Sequence, residues 1–246
     1  MHRAVRPAYP SGRSTRSTPA SLNVSDFVKR LFSNPDMLGM GHHQRLADHN
    51  LGLGEIYHAL ARLLRPSTAV VIGSWRGFAP AVIANALREN GEGGGVVFID
   101  PSFVDDFWME AGKVAAHFRD LGTPNVRHFC CTTQEFVATE AYAELRDIGL
   151  LMIDGLHTAE QARFDYLAFL DKLTDQAVTV FHDSVQRRRG RIYGEEVRYE
   201  YTVCLLMERL RNDPGLELFT LPFDSGATFV RGRPESLETL NAPFAS

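Results

Sequence analysis

Short apolar runs bounded by turn residues alternate along this chain with stretches whose apolar positions recur at helical spacing. After a polar opening, SDFVKRLFSN places Ser25 to cap a short helix. The Gly-, His- and Asn-rich PDMLGMGHHQRLADHN reads as a loop or broken helix, and GEIYHALARLLRPS as a helix that stops before Pro66. From residue 69 strands and helices take turns. AVVI (69–72), the turn GSWRG and the helix FAPAVIANALREN come first, then GVVFI up to Asp100 and a helix over 105–121. NVRHFCC and the helix TTQEFVATEAYAEL follow, then GLLMI up to Asp154, a helix over 159–173, and AVTVF up to His182 and Asp183. Beyond an Arg-rich loop, VRYEYTVCLLMERLRND reads as another helix, and LELFTL and GATFVRG, joined by PFDS, as a hairpin.

Strands separated by helices lie parallel, because parallel neighbours need crossover connections. The five strands and the hairpin together predict an α/β fold: a Rossmann-like, doubly wound, mostly parallel seven-stranded sheet with a C-terminal antiparallel hairpin. A length of 246 residues suits one medium domain with small additions. The division expected is a disordered or flexible tail over 1–21, a helical segment over 22–66 on the substrate side, the sheet domain over 67–232, and a tail over 233–246.

Charge and composition then narrow the partner. Arg3, Arg6, Arg13 and Arg16 all precede the first acid, Asp26, so residues 21–246 hold 22 basic and 30 acidic side chains. Such an acidic body lacks the phosphate-neutralising cations that nucleic acid requires, and a small molecule is the expected partner. No run of about 18 apolar residues offers a membrane span. The opening MHRAVRPAYPSGRSTRSTPAS has no apolar core of a secretory signal. Three cysteines, 130, 131 and 204, show no disulfide or zinc spacing, which fits a reducing cytoplasm.

In an open parallel sheet, ligands bind beyond the carboxyl ends of the strands. The residues found there are the turn from Gly73 to Gly77, Asp100, Asp154, and the pair His182 and Asp183. The turn I-G-S-W-R-G-F brings backbone close to a ligand and aims helix N–H groups at it. Its spacing is neither the G-x-G-x-x-G of dinucleotide sites nor a P-loop. Asp100 stands where a carboxylate can accept hydrogen bonds from both hydroxyls of a ribose. Asp154 is followed three residues later by His157, and the four strand-end acids and imidazoles together outweigh separate capping roles. Asp165 and Tyr166, on the following helix, read as structural.

The blocks VVIGSWRG, VVFIDP, LLMIDGLHTAEQARFDYLAFLDKL and TVFHDS resemble those of class I S-adenosylmethionine-dependent methyltransferases. Within that class the likeness is to the branch of macrocin and mycinamicin O-methyltransferases and cephalosporin hydroxylase-like proteins, over roughly residues 50–230. The resemblance implies S-adenosyl-L-methionine held by Gly73, Ser74, Trp75, Gly77, Asp100, Thr133, Gln134 and Asp154. It also implies a divalent cation, Mg²⁺ or Mn²⁺, on Asp154 and Asp183 with His182 as a further ligand, and His157 as general base beside Asp154. The acceptor would be a hydroxyl of a small molecule such as a sugar or natural product, and relatives of this kind assemble as dimers or larger rings.

Some features depart from that pattern. Val71 occupies the place of an acid that relatives carry before the first glycine, and His182 stands where relatives can have a second acid, which would favour Mn²⁺, Fe²⁺ or Zn²⁺ over Mg²⁺. A metal-independent N- or O-methyltransferase and a non-catalytic nucleoside-binding protein remain open. The cluster His42, His43, Asp48 and His49 could close over the site or bind metal but reads more simply as a surface loop, and Arg187, Arg188, Arg189 and Arg191 read as a solvated run or an anion clamp. Trp75 and Trp108 are candidates for pocket walls.

Overall fold

A computed structural model describes residues 25–38, 41–103, 105–191, 198–223 and 225–244. The N-terminal tail expected over 1–21 lies outside them. Seven strands form one sheet: β1 (Thr68–Ile72), β2 (Gly95–Ile99), β3 (Val126–Phe129), β4 (Ile148–Ile153), β5 (Leu173–His182), β8 (Leu216–Leu221) and β9 (Ala227–Gly232). The order is β3-β2-β1-β4-β5-β9-β8, parallel from β3 to β5, with β9 antiparallel to both β5 and β8. This is the sheet the hydrophobic pattern predicts, closed by the predicted hairpin.

The middle strands are apolar throughout because both faces are covered. Alternation along β1 and β4 sends Val71, Leu150 and Met152 to one face with Phe98 and Val180, and Val70, Ile72, Leu151 and Ile153 to the other with Phe181. The first face is covered by α1 (Asp26–Ser33), α2 (Leu53–Leu64), α3 (Phe78–Asn90) and α4 (Ala111–Asp120). The second is covered mainly by α7 (Ala159–Phe169) and α8 (Val203–Arg211), with the short α5 (Thr133–Phe136) and α6 (Glu140–Glu144) alongside. At the C-terminus α9 (Leu237–Asn241) is tied down by Arg163 and Arg209, whose guanidinium groups donate to the carbonyls of Leu240 and Ala242.

Three helix readings change. The helix expected over 105–121 is a 3-10 turn at Asp106–Trp108, capped by the Asp105 side chain, and then α4. TTQEFVATEAYAEL divides into two, since Thr132 closes a capping box with Glu135 and Thr139 starts a second cap. The start of VRYEYTVCLLMERLRND is a strand: β7 (Arg198–Tyr201) pairs antiparallel with β6 (Arg188–Arg191). Arg189 faces Glu200 and Arg188 faces Tyr201 across that ribbon, cross-strand pairs that a helix would separate.

Candidate active site

The turn after β1 is built by one residue that cannot carry a side chain. Gly73 has φ +71°, and a Cβ on it would stand 2.4 Å from the Cα of Gly155 and 2.5 Å from the Asp154 carbonyl oxygen. Its N–H donates to the Ile99 carbonyl at 2.8 Å, joining the ends of β1 and β2. Ser74 Oγ then accepts from the N–H of Ala79 at 3.1 Å and so caps α3, while its backbone N–H points at Asp100. Gly77 differs from the expectation. It does not line the cleft; it begins α3 at φ +83°, and a Cβ there would press on Phe118 and Trp108.

These strand ends open into a cleft of about 200 Å³ that is partly open to solvent. Gly73, Ser74, Trp75, Asp100, Thr133, Gln134, Asp154 and His157 all line it, with Trp108 and Tyr199 as further walls. Trp108 is fixed by donating its Nε1–H to the Trp75 carbonyl at 2.8 Å. Gln134 donates to Gln161 at 2.8 Å. Asp165 also reaches the cleft: it is fully buried, accepts from Gln161 at 2.8 Å, and burial pushes its carboxyl up to about 6.

Asp100 is held by the N–H of Ser102 at 2.9 Å and that of Ser74 at 3.4 Å. Burial raises its carboxyl to about 6 despite those two donors. A carboxylate there binds hydroxyls best when ionised, so affinity for a ribose-bearing ligand falls as pH drops through about 6. Calorimetry with S-adenosylhomocysteine should show binding about tenfold weaker at pH 5 than at pH 7. Asp100→Asn should bind weakly at both and lose the dependence; an unchanged dependence would assign it to another group.

Beside the cleft, under the segment that joins residue 41 to α2, lies a compact group of acids and imidazoles. His182 Nδ1 stands 2.7 Å from Asp154 Oδ1 and 3.6 Å from Asp183 Oδ1, and His157 Nε2 stands 3.5 Å from Asp183 Oδ2. His42 contributes as well, with Nε2 at 3.5 Å from Asp154 Oδ2. Asp183 has other partners: Arg188 Nη2 at 2.6 Å and the Ser225 hydroxyl, which donates to Oδ1. His157 is stacked on Tyr201 with ring centroids 5.0 Å apart, and the Arg188 guanidinium lies over the same ring, 3.7 Å from its centroid.

Burial dominates the electrostatics here. It drives His42 down to about 3 and lowers His157 below the ordinary imidazole value, so both are neutral at pH 7. For His182 burial also opposes charge, but the Asp154 and Asp183 carboxylates and the Gly41 carbonyl outweigh it and raise the ring to about 9. The two acids thus demand one positive charge between them, carried by a proton on His182 or by a cation.

For His42 the structure favours the lesser of the two sequence readings. Of the cluster assigned to a surface loop, His43, Asp48 and His49 are exposed, and Asp48 pairs with Arg45 at 2.8 Å, but His42 is buried against Asp154. The Arg run is largely spoken for: Arg187 and Arg189 both bind Glu200, and Arg188 binds Asp183. The side chain of Arg191 lies outside the described residues.

The cleft lies at the carboxyl ends of a 3-2-1-4-5 parallel core, with an acid following β2, where open parallel sheets bind their ligands. Residues 70–184, from β1 through the turn after β5, match the family model described as a methyltransferase domain. Solved structures with the same fold include the O-methyltransferase TomG from Streptomyces achromogenes, involved in tomaymycin synthesis and bound to SAM. It is 15% identical, with 85% of this chain and 91% of that one covered and a TM-score of 0.60. An O-methyltransferase from Bacillus cereus in complex with SAH is 12% identical, covering 87% and 94% at a TM-score of 0.61. A putative O-methyltransferase from Klebsiella pneumoniae is 15% identical, covering 87% and 92% at 0.61. No curated protein matches the chain by sequence. Among the described residues no helix is long and apolar enough to cross a membrane.

Proposed function

We infer that this protein transfers the methyl group of S-adenosylmethionine to a hydroxyl oxygen of a small molecule, with a divalent cation beside the acceptor. One observation carries the reading: Asp100, Asp154 and His157 face a single cleft, and the imidazole of His157 is neutral there. The donor suits the cleft chemically. Asp100 offers a carboxylate to ribose hydroxyls, the Gly73–Ser74 turn leaves room for close backbone approach, and Thr133 and Gln134 offer polar atoms to a purine edge.

The cation suits Asp154 and His182, because the buried His182 Nδ1 lies 2.7 Å from Asp154 Oδ1, an approach that a proton or a cation must mediate. Asp183, also expected as a ligand, is engaged by Arg188 and Ser225 and better serves to orient His157. A divalent cation bound there would lower the pKa of an acceptor hydroxyl. The protein's own residues do the rest. His157 takes the acceptor proton, Trp75 and Trp108 shield the cleft from water, and Tyr199 offers a face to the acceptor. Since methyl transfer is a displacement, holding the two reactants aligned supplies most of the rate.

A second reading keeps the methyl donor and omits the cation, with protonated His182 supplying the positive charge; its elevation to about 9 favours this. Calorimetry and a chelator titration separate the readings. S-adenosylmethionine and S-adenosylhomocysteine should bind and NAD should not. Turnover on hydroxylated small molecules should vanish with chelator and return with Mn²⁺ or Mg²⁺. Activity indifferent to chelator would leave the cation-free reading, and failure of both adenosyl compounds to bind would remove the methyl-transfer reading altogether.

A further inference from the structure

The segment before α2 does more than cover the strand ends. Its His42 ring is 2% exposed, stacked on Phe78 at 4.9 Å and tilted against His182 at 4.5 Å. Nδ1 of His42 meets the Tyr57 hydroxyl at 3.3 Å, which turns Nε2 inward to Asp154. His182 is arranged in the same way. Its Nε2 lies 3.2 Å from the Gly41 carbonyl, and a carbonyl only accepts, so Nε2 carries the hydrogen and the lone pair of a neutral ring sits on Nδ1. That nitrogen faces the Asp154 carboxylate at 2.7 Å, an approach that a proton or a cation between the two must mediate.

An inward nitrogen with the outer one held by a hydroxyl or a carbonyl is how metal-binding histidines are oriented. One ligand atom from each of His42, Asp154 and His182 falls within a span of 4.8 Å. The backbone of His42 is fixed independently, its carbonyl accepting from Leu53 N–H at 2.7 Å beneath Gly52, which has φ +61° and no room for a Cβ.

From this geometry we propose that His42 is the third cation ligand in place of Asp183, so that a cation on His42, Asp154 and His182 clamps the N-terminal cap onto the strand ends. The proposal rests on the cation arm of the function inferred above. Two imidazoles and one carboxylate suit Mn²⁺, Fe²⁺, Co²⁺ or Zn²⁺ better than Mg²⁺, which prefers oxygen ligands.

The experiment uses the full chain freed of metal by chelator and titrated calorimetrically with Mn²⁺, Zn²⁺ and Mg²⁺. Wild type should bind one Mn²⁺ or Zn²⁺ per chain, at least about tenfold tighter than Mg²⁺. His42→Asn should weaken Mn²⁺ by at least the about 10–100-fold that loss of an outer partner costs, whereas Asp183→Asn should change it less than about threefold. His42→Cys, which restores a soft ligand, should recover Zn²⁺ and not Mn²⁺, and guards against a folding defect in the first variant. Hydrogen exchange over residues 41–57 should slow when Mn²⁺ is added to wild type and not to His42→Asn. If wild type binds Mn²⁺ and His42→Asn binds it equally well, or if Asp183→Asn abolishes binding, His42 is not the ligand and the cation reading survives without it. If wild type binds S-adenosylhomocysteine but none of the three cations, the cation reading itself fails.

Discussion

His157→Ala should lower the rate of methyl transfer by about 10²–10⁴, the usual contribution of a positioned proton acceptor, while S-adenosylhomocysteine affinity stays within about threefold. The expectation comes from placement. His157 lines the cleft next to Asp154, its Nε2 looks toward Asp183, and Tyr201 stacks on its face to hold the ring plane. Burial lowers its pKa below the ordinary value, so the neutral form prevails at pH 7 and above. The sign follows: the wild-type rate should be level at neutral pH and fall only in acid, as the ring gains its proton. Single-turnover kinetics against pH provide the check. An alanine variant with an unaltered rate and an unaltered acid limb would mean that another group takes the proton.

The largest structural effect is expected at Gly73. Gly73→Ala carries about 1–2 kcal/mol for a side chain in the left-handed region. The new methyl would also lie 2.4 Å from the Cα of Gly155, backbone that cannot step aside without moving the start of the segment bearing His157. A fall in melting temperature of about 5–10 °C is expected, together with loss of measurable S-adenosylhomocysteine binding. Asn85→Ala, a change on the outer side of α3, serves as the comparison, because among the described residues the Asn85 side chain bonds to nearby Glu89 and not to the cleft. Gly73→Ala with native melting and native binding would show that the turn yields, and that the tight approach of β1 to Gly155 does not shape the cleft.

Much of this architecture was legible in the pattern of apolar residues. Val71, Leu150 and Met152 mark strands because burial on both faces leaves no polar alternation to misread, and the acids that end them stand out against those runs. Asp100, Asp154 and His157 could therefore be placed at one cleft before any coordinates. His42 could not. It sits in a His-, Gly- and Asn-rich stretch that locally resembles exposed loop, and only the fold brings it to Asp154 from more than a hundred residues away. A signal did exist in Gly41 and Gly52, both at positive φ, which pin the segment against the strand ends. Arg198–Tyr201 failed for a different reason. The run continues into a strong helical pattern, and its own two-residue alternation, with Glu200 answering Arg187 and Arg189, is too short to compete. Gly77 entered the cofactor set through the family resemblance, and in the structure its conformation serves the start of α3.

The β6–β7 ribbon has a bearing on engineering. Within it Arg189 closes on Glu200, and among the described residues it meets the scaffold through Arg188 on Asp183 and Tyr201 on His157. A ribbon that meets the cleft through such side chains can be exchanged for one of other composition while the floor of the cleft stays intact. New acceptor preferences could thus be grafted by swapping one hairpin, provided the replacement keeps a cation for Asp183 and a flat ring for the imidazole.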